Sequence, residues 1–123
     1  LSVLVTMMLP VLLVAAGVAV DGAERARATR VAHTVAAEAA RAGCEEGSAA
    51  QLVGQDGSGA ARAAAELSAR AAKADRLSQL VITVDGDAVS VVTEVTRPTR
   101  LLALIGLTEV HGQASEVCTL VAR

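Results

Sequence analysis

Residues 1–20 read LSVLVTMMLPVLLVAAGVAV, without a single charge. As an α-helix this run is about 30 Å long at ~1.5 Å per residue, the thickness of a bilayer's hydrocarbon core. A chain of 123 residues rarely hides a helix that is apolar all round. The run therefore predicts a membrane-spanning or filament-core helix rather than a buried core helix. A cleavable secretory signal is the competing reading. Against it, no basic region precedes the run, which is longer than the usual apolar stretch of about 7–15 residues. The chain opens on Leu1 rather than Met, so removal of a preceding leader is expected. Pro10 lacks the amide that would bond the Thr6 carbonyl, which predicts a kink or loosening over Thr6–Pro10. Gly17 is a second weak point.

The helical pattern continues beyond Val20. Ala28, Val31, Val35, Ala39 and Ala42 share one face, and Arg27, Arg30, Thr34, Glu38 and Arg41 another. Gly22 is a weak break, and Gly43 stands where a helix stop is expected. The prediction is one helix about 64 Å long, apolar in its first half and amphipathic in its second. It divides the chain into a hydrophobic helix at 1–22 and a head at 23–123 that includes the amphipathic half. Small residues recur at every fourth position: Ala15, Ala19 and Ala23, then Ala28, Ala32, Ala36 and Ala40. With Pro10, Leu13 and Gly17, the first three are candidate helix-packing positions; chance in an Ala-rich chain is the alternative.

The rest of the sequence predicts a small α+β head. Residues 44–59, CEEGSAAQLVGQDGSG, read as a loop or linker with at most a turn of helix near Ala49–Val53. Ser58 is a candidate cap for a second helix over Ala60–Ala74. Arg62, Glu66, Arg70 and Lys73 form its solvated stripe, and Ala63, Ala64, Leu67, Ala71 and Ala74 its shallow apolar face. Leu80, Ile82 and Val84 alternate with polar residues, as do Val89, Val91, Thr93 and Val95. A hairpin turn centred on Asp85–Gly86 or Gly86–Asp87 joins the two runs, and its aspartates lack the spacing of a calcium loop. LLALIGL at Leu101–Leu107 is too short to span a membrane and reads as a buried short helix capping the sheet, or as a subunit contact. A third strand is expected from Glu109 towards Val121, with a bulge or exposed end where Glu116 breaks the inward parity. Val31, Val35 and Ala39 are expected to pack on the sheet face of Leu80, Ile82, Val84, Val89 and Val91, leaving Arg27, Arg30 and Arg41 outside.

Composition narrows the function. The chain is 53% hydrophobic yet has no Phe, Tyr or Trp, so it has no aromatic platform for single-stranded nucleic acid. Its net charge of −2 sets up no field for nucleic acid either. The two His and two Cys lack zinc-ligand spacing, and His33 and His111 read as surface or structural residues. No nucleophile–base pair, phosphate loop or metal cluster is visible, so neither an enzyme nor a cofactor is expected. Cys44 and Cys118, one in each half, point to a disulfide, with two free thiols as the alternative. Such a bond persists outside the cytoplasm and, over a loop of this length, stabilises by ~4–4.5 kcal/mol in the loop-entropy account. Arg25, Arg27 and Arg30 follow the span. Alone they would hold the head in the cytoplasm, where a disulfide would not last, unless a removed leader was basic.

LSVLVTMMLPVLLVAAGVAVDG at Leu1–Gly22, AHTVAAEAARAG at Ala32–Gly43, ITVDGDAVSVVTEV at Ile82–Val95, LLALIGL at Leu101–Leu107 and VHGQAS at Val110–Ser115 carry a resemblance over nearly the whole chain. The chain resembles the TadE/TadG-like proteins of tight-adherence (Tad, Flp) pili, of actinobacterial type, within the type IV pilin superfamily. The resemblance implies a prepilin peptidase cut that makes Leu1 the processed N-terminus. It further implies residence in the cytoplasmic membrane and delivery by the pilus assembly machinery into an extracellular helical filament of identical subunits. Pilin-like subunits usually carry a glutamate near mature position 5; here Leu4 and Val5 occupy that zone and the first acid is Asp21. Assembly would then rest on apolar helix packing. A structural pilin is the first reading, and a minor pilin or membrane-anchored accessory protein the second.

Overall fold

The computed structural model describes residues 1–72 and 77–120. Helix α1 (Ser2–Leu52) leads to α2 (Gly57–Ala71), then to strands β1 (Leu77–Asp85), β2 (Ala88–Pro98) and β3 (Glu109–Thr119), with a 3₁₀ turn at Leu102–Ile105 between the last two. The strands form an antiparallel meander in the order β1-β2-β3. The fold is α+β, a long helix and a second helix packed on one face of a three-stranded sheet.

α1 is longer than its pattern predicted. It runs without interruption through Pro10, Gly22 and Gly43, and most of the expected linker is helix. Gly43 is not a stop but a seat. A Cβ there would lie 3.0 Å from the Ala61 carbonyl oxygen and 3.3 Å from the Ala65 side chain, so α2 crosses α1 at this point. The helix ends instead at Gly54, whose φ is +79°. The Gly54 N–H bonds the Gln51 carbonyl at 3.1 Å and the Gln55 N–H bonds the Ala50 carbonyl at 2.9 Å, the paired bonds of a Schellman stop.

α2 begins earlier than expected because its cap is Asp56 rather than Ser58. Asp56 Oδ1 accepts from the Ser58 N–H at 3.0 Å and from the Ser58 hydroxyl at 2.7 Å. These bonds hold the Asp56 carboxyl below its ordinary value. Lys73, Ala74 and Val121 lie outside the described residues.

Asp85 pairs with Ala88, which centres the hairpin turn on Gly86–Asp87, and Gly86 has φ +58°. β2 and β3 pair in unbroken register from Ala88↔Thr119 to Pro98↔Glu109, so the bulge expected near Glu116 is absent. Glu116 keeps the inward parity because the helix supplies a partner: its Oε1 lies 3.1 Å from His33 Nε2. The irregularity falls instead in β1, between Leu77 and Gln79.

The core joins Val35, Ala36, Ala39, Ala40 and Cys44 of α1 to Ala61, Ala65 and Ala69 of α2 and to Val89 and Val91 of β2. Leu80, Ile82 and Val84 pack at its margin. A smaller cluster sets Ala28 and Ala32 against Val95. Val35 and Ala39 are buried as expected, but Val31 is 37% exposed. The buried face is turned toward Ala36, Ala40, Gly43 and Gly47 because α2 covers that flank, and Val31 falls one step too far round.

Aliphatic side chains this small bring the backbones close. A Cβ on Gly112 of β3 would overlap the backbone of Ala28 and Thr29, so α1 lies directly on the strand there. Close by, the buried Thr93 hydroxyl donates to the Ala32 carbonyl at 2.6 Å, satisfying a polar group in the core. Cys44 and Cys118 form a disulfide, with Cα atoms 6.2 Å apart, that ties α1 to β3.

Candidate functional site

The candidate site is where the apolar half of α1 leaves the head. Residues 1–16 are exposed throughout. Leu4, Leu9, Leu12 and Leu13 each keep more than half of their surface, and Leu1 sits fully open at the tip. By length and composition this part of the helix is able to cross a membrane. Of the candidate helix-packing residues, Pro10, Leu13, Ala15, Ala19 and Ala23 are open, and Gly17 is covered. Gly17 is covered by Leu101, whose Cβ would meet a Cβ at position 17 at 3.4 Å. The helix turns Gly17, Asp21, Glu24 and Ala28 toward the head, so the stripe Ala15, Ala19, Ala23 faces away.

Two buried acids form a collar at this junction, and the sequence reading passed over both. Asp21 is 1% exposed and Glu24 4%. The Arg100 backbone N–H donates to Asp21 Oδ1 at 2.8 Å. Arg27 Nη1 donates to Glu24 Oε1 at 2.8 Å, and Arg97 Nε lies 2.8 Å from Glu24 Oε2. Burial alone would raise the Glu24 carboxyl. The guanidinium groups of Arg97 and Arg27, and of Arg100 further off, outweigh it and hold the carboxyl below its ordinary value. The collar had a signal in the chain: Asp21, Glu24 and Ala28 continue the face of Ala32 and Val35 toward the N-terminus. Two acids on a buried face require partners, and Arg97 and Arg100 flank Pro98.

The LLALIGL segment does not cap the sheet. It stands at the end of β2–β3 and lies along α1, where Leu13, Val14, Gly17, Leu101, Leu104 and Ile105 line an apolar groove of about 220 Å³. Leu101, Leu104, Ile105 and Leu107 are exposed rather than buried: Leu101 keeps 41% of its surface and Leu104 86%. The sheet needs no such cover, because α1 and α2 already bury its inner face.

Chemistry elsewhere is sparse. His33 meets Glu116, and His111 Nδ1 lies 2.9 Å from the Thr96 hydroxyl and 3.2 Å from Glu94. Among the described residues no three His, Cys, Asp or Glu side chains are grouped to hold a metal ion. A shallow groove of about 630 Å³ between α1 and α2 is lined by Ala42, Ala60, Ala63, Ala64 and Leu67, with Glu46 at its margin. No family model, curated protein or solved structure matches the chain.

Proposed function

We propose that this chain is the structural subunit of an extracellular, type IV-like (Tad) pilus filament, held in the membrane before assembly and polymerised through the apolar half of α1. One observation carries the reading: an open apolar helix continues without a break into a helix packed on the head's own sheet. Fully burying a Leu or Val side chain stabilises by about 1.5–3 kcal/mol. Residues 1–16 thus demand lipid or other helices, while the head is complete without them. The Cys44–Cys118 disulfide supports a head outside the cytoplasm. In this reading the partners are copies of the same chain, the membrane, a prepilin peptidase and the assembly machinery.

The second reading is a minor pilin or membrane-anchored accessory protein. It draws on the lack of any charge in residues 1–20 and on the use of the nearest acids, Asp21 and Glu24, within the subunit itself. Negative-stain microscopy of sheared surface filaments, with mass spectrometry of their subunit, separates the two. A major subunit makes up the bulk of the filament protein. An accessory protein stays in the membrane fraction or appears only in trace.

A further inference from the structure

The loop between β2 and β3 offers apolar side chains to solvent although its shape is held firmly. Leu104, Ile105 and Leu107 expose 86%, 68% and 56% of their surfaces. The loop base is closed by the Thr99 N–H, which donates to the Thr108 carbonyl at 3.0 Å. Within it, the Leu104 and Gly106 N–H groups bond the Leu101 and Ala103 carbonyls, each at 3.2 Å. Its root is pinned to the long helix by the Arg100 N–H on Asp21 and by Leu101 against Gly17. A flexible apolar loop can collapse onto its own surface; this one is kept from doing so.

The pin also sets the loop's height. Gly17 and Asp21 are four residues apart, about 6 Å along the axis. The apolar tips therefore stand level with Leu13, Val14 and Gly17, just below the collar. Arg25, Arg27 and Arg30 follow on α1 above that level, and they are exposed, as is Arg100 at the loop root. Asp21 and Glu24 are bound inside the subunit, Glu24 by Arg27 and Arg97, so among the described residues on α1 between Gly17 and Arg30 the unpaired exposed charge is that of Arg25 and Arg30. Arg100 at the loop root and Arg25, about 12 Å above Gly17 along the axis, set exposed arginine over an apolar ledge alongside an apolar helix, the layering of phosphate over acyl chain.

We propose that the β2–β3 loop is a membrane wedge. While residues 1–20 span the bilayer, Leu104, Ile105 and Leu107 enter the leaflet on the head side, and Arg25 and Arg100, the nearest exposed arginines above them, meet the phosphates of anionic phospholipid. This rests on the reading of residues 1–20 as a membrane span. The loop backbone stays at the interface, where water reaches its remaining polar groups, and its side chains reach the first acyl carbons, as in interfacial elements generally. The wedge holds the head close to the bilayer and at a fixed angle to it until the helix leaves the membrane.

The test uses the full chain with its disulfide intact. Leu104→Cys, Ile105→Cys, Val14→Cys and Gln113→Cys are each labelled with an environment-sensitive fluorophore. Each is reconstituted into vesicles of phosphatidylcholine and phosphatidylglycerol carrying a nitroxide high on the acyl chain. Labels at Leu104 and Ile105 should be quenched as strongly as the label at Val14, and the label at Gln113, on the outer sheet face, should be unaffected. Quenching at Val14 with water-like emission at Leu104 and Ile105 would overturn the wedge and leave the span standing. An unquenched Val14 would overturn the span and the wedge with it. A label at Leu104 shielded from both water and nitroxide, with Leu104→Cys cross-linking to Val14→Cys of another copy, would show a second helix in the groove and overturn the wedge.

Discussion

Arg97 Nε lies 2.8 Å from Glu24 Oε2, joining the end of β2 to the point where the long helix turns from apolar to amphipathic. The side chain of Glu24 is almost wholly buried, so its charge depends on this contact and on Arg27. Removing the acid strands a guanidinium, and removing Arg97 leaves a buried carboxylate underpaired.

This pair has a pH dependence of known sign. The Glu24 carboxyl is held below its ordinary value in the folded protein. Its contribution to stability is therefore fully present above the ordinary glutamate range and is lost as pH falls through the depressed folded value. Glu24→Gln should lower the Tm at neutral pH. The gap to the parent protein should then narrow on acidification, because the parent loses the same contribution. Thermal melts of both proteins in detergent across that range check it; a gap that stays constant with pH would count against the pairing.

Gly112→Ala should destabilise the protein by about 1–3 kcal/mol or more, the range for forced overpacking. The added methyl meets helix backbone at Ala28 and Thr29, which cannot rotate aside as a side chain would. Gly22→Ala is the matched control. Nothing lies within 4 Å of a Cβ there, so the helix should gain about 0.5–1 kcal/mol from the better helix former. Opposite signs for two glycine-to-alanine changes, read by denaturant unfolding, are the expected outcome.

Val35→Ala should cost about 1–3 kcal/mol, as expected for a lost buried branch with partial relaxation, and Val31→Ala should stay within about 0.5 kcal/mol. Val35 is 3% exposed in the core, whereas Val31 stands at its outer edge. Equal losses at the two positions would mean that the helix is rotated from the orientation described.

The contrast between these valines marks how far the chain could be read in one dimension. Alternation over Leu80–Val84 and Val89–Val95 specified two strands and their inward faces, since a period of two leaves no other arrangement that buries them. A helical stripe is broader, and its edge is set by what packs beside it; here α2 shifted the buried face away from Val31. Gly43 looked like a stop because a glycine that ends a helix and one that admits a crossing helix are the same letter. Asp21 and Glu24 were hidden for a different reason. Their partners, Arg97 and Arg100, lie more than seventy residues downstream, and only the fold brings them together. LLALIGL declared a need for apolar surroundings but not where they would be found.

The Cys44–Cys118 bond closes a long loop, with a sequence separation of 74. Replacing both cysteines by serine should cost about 2–5 kcal/mol, the range for native disulfides in small domains. Non-reducing peptide mapping should recover the two peptides joined within one subunit. Recovery of free thiols, or of the peptides joined between subunits, would remove the head's covalent tie and contradict the fold described here.

Leu13→Asp should separate the helix's role from the head's. Leu13 is 64% exposed and belongs to neither core cluster, so the substitution should leave the disulfide and the unfolding transition of the head unchanged. On the proposed function, a carboxylate in the apolar half of α1 carries a penalty that reaches about 2.5–3.5 kcal/mol at the centre of a membrane helix, and a similar burden falls on a helix packed among copies of itself. Membrane retention and filament yield should both collapse while the head stays folded. Arg41→Ala, on the exposed face of the head half of the same helix, should change neither. Normal filament yield from Leu13→Asp would show that residues 1–20 are not the surface through which the subunits assemble.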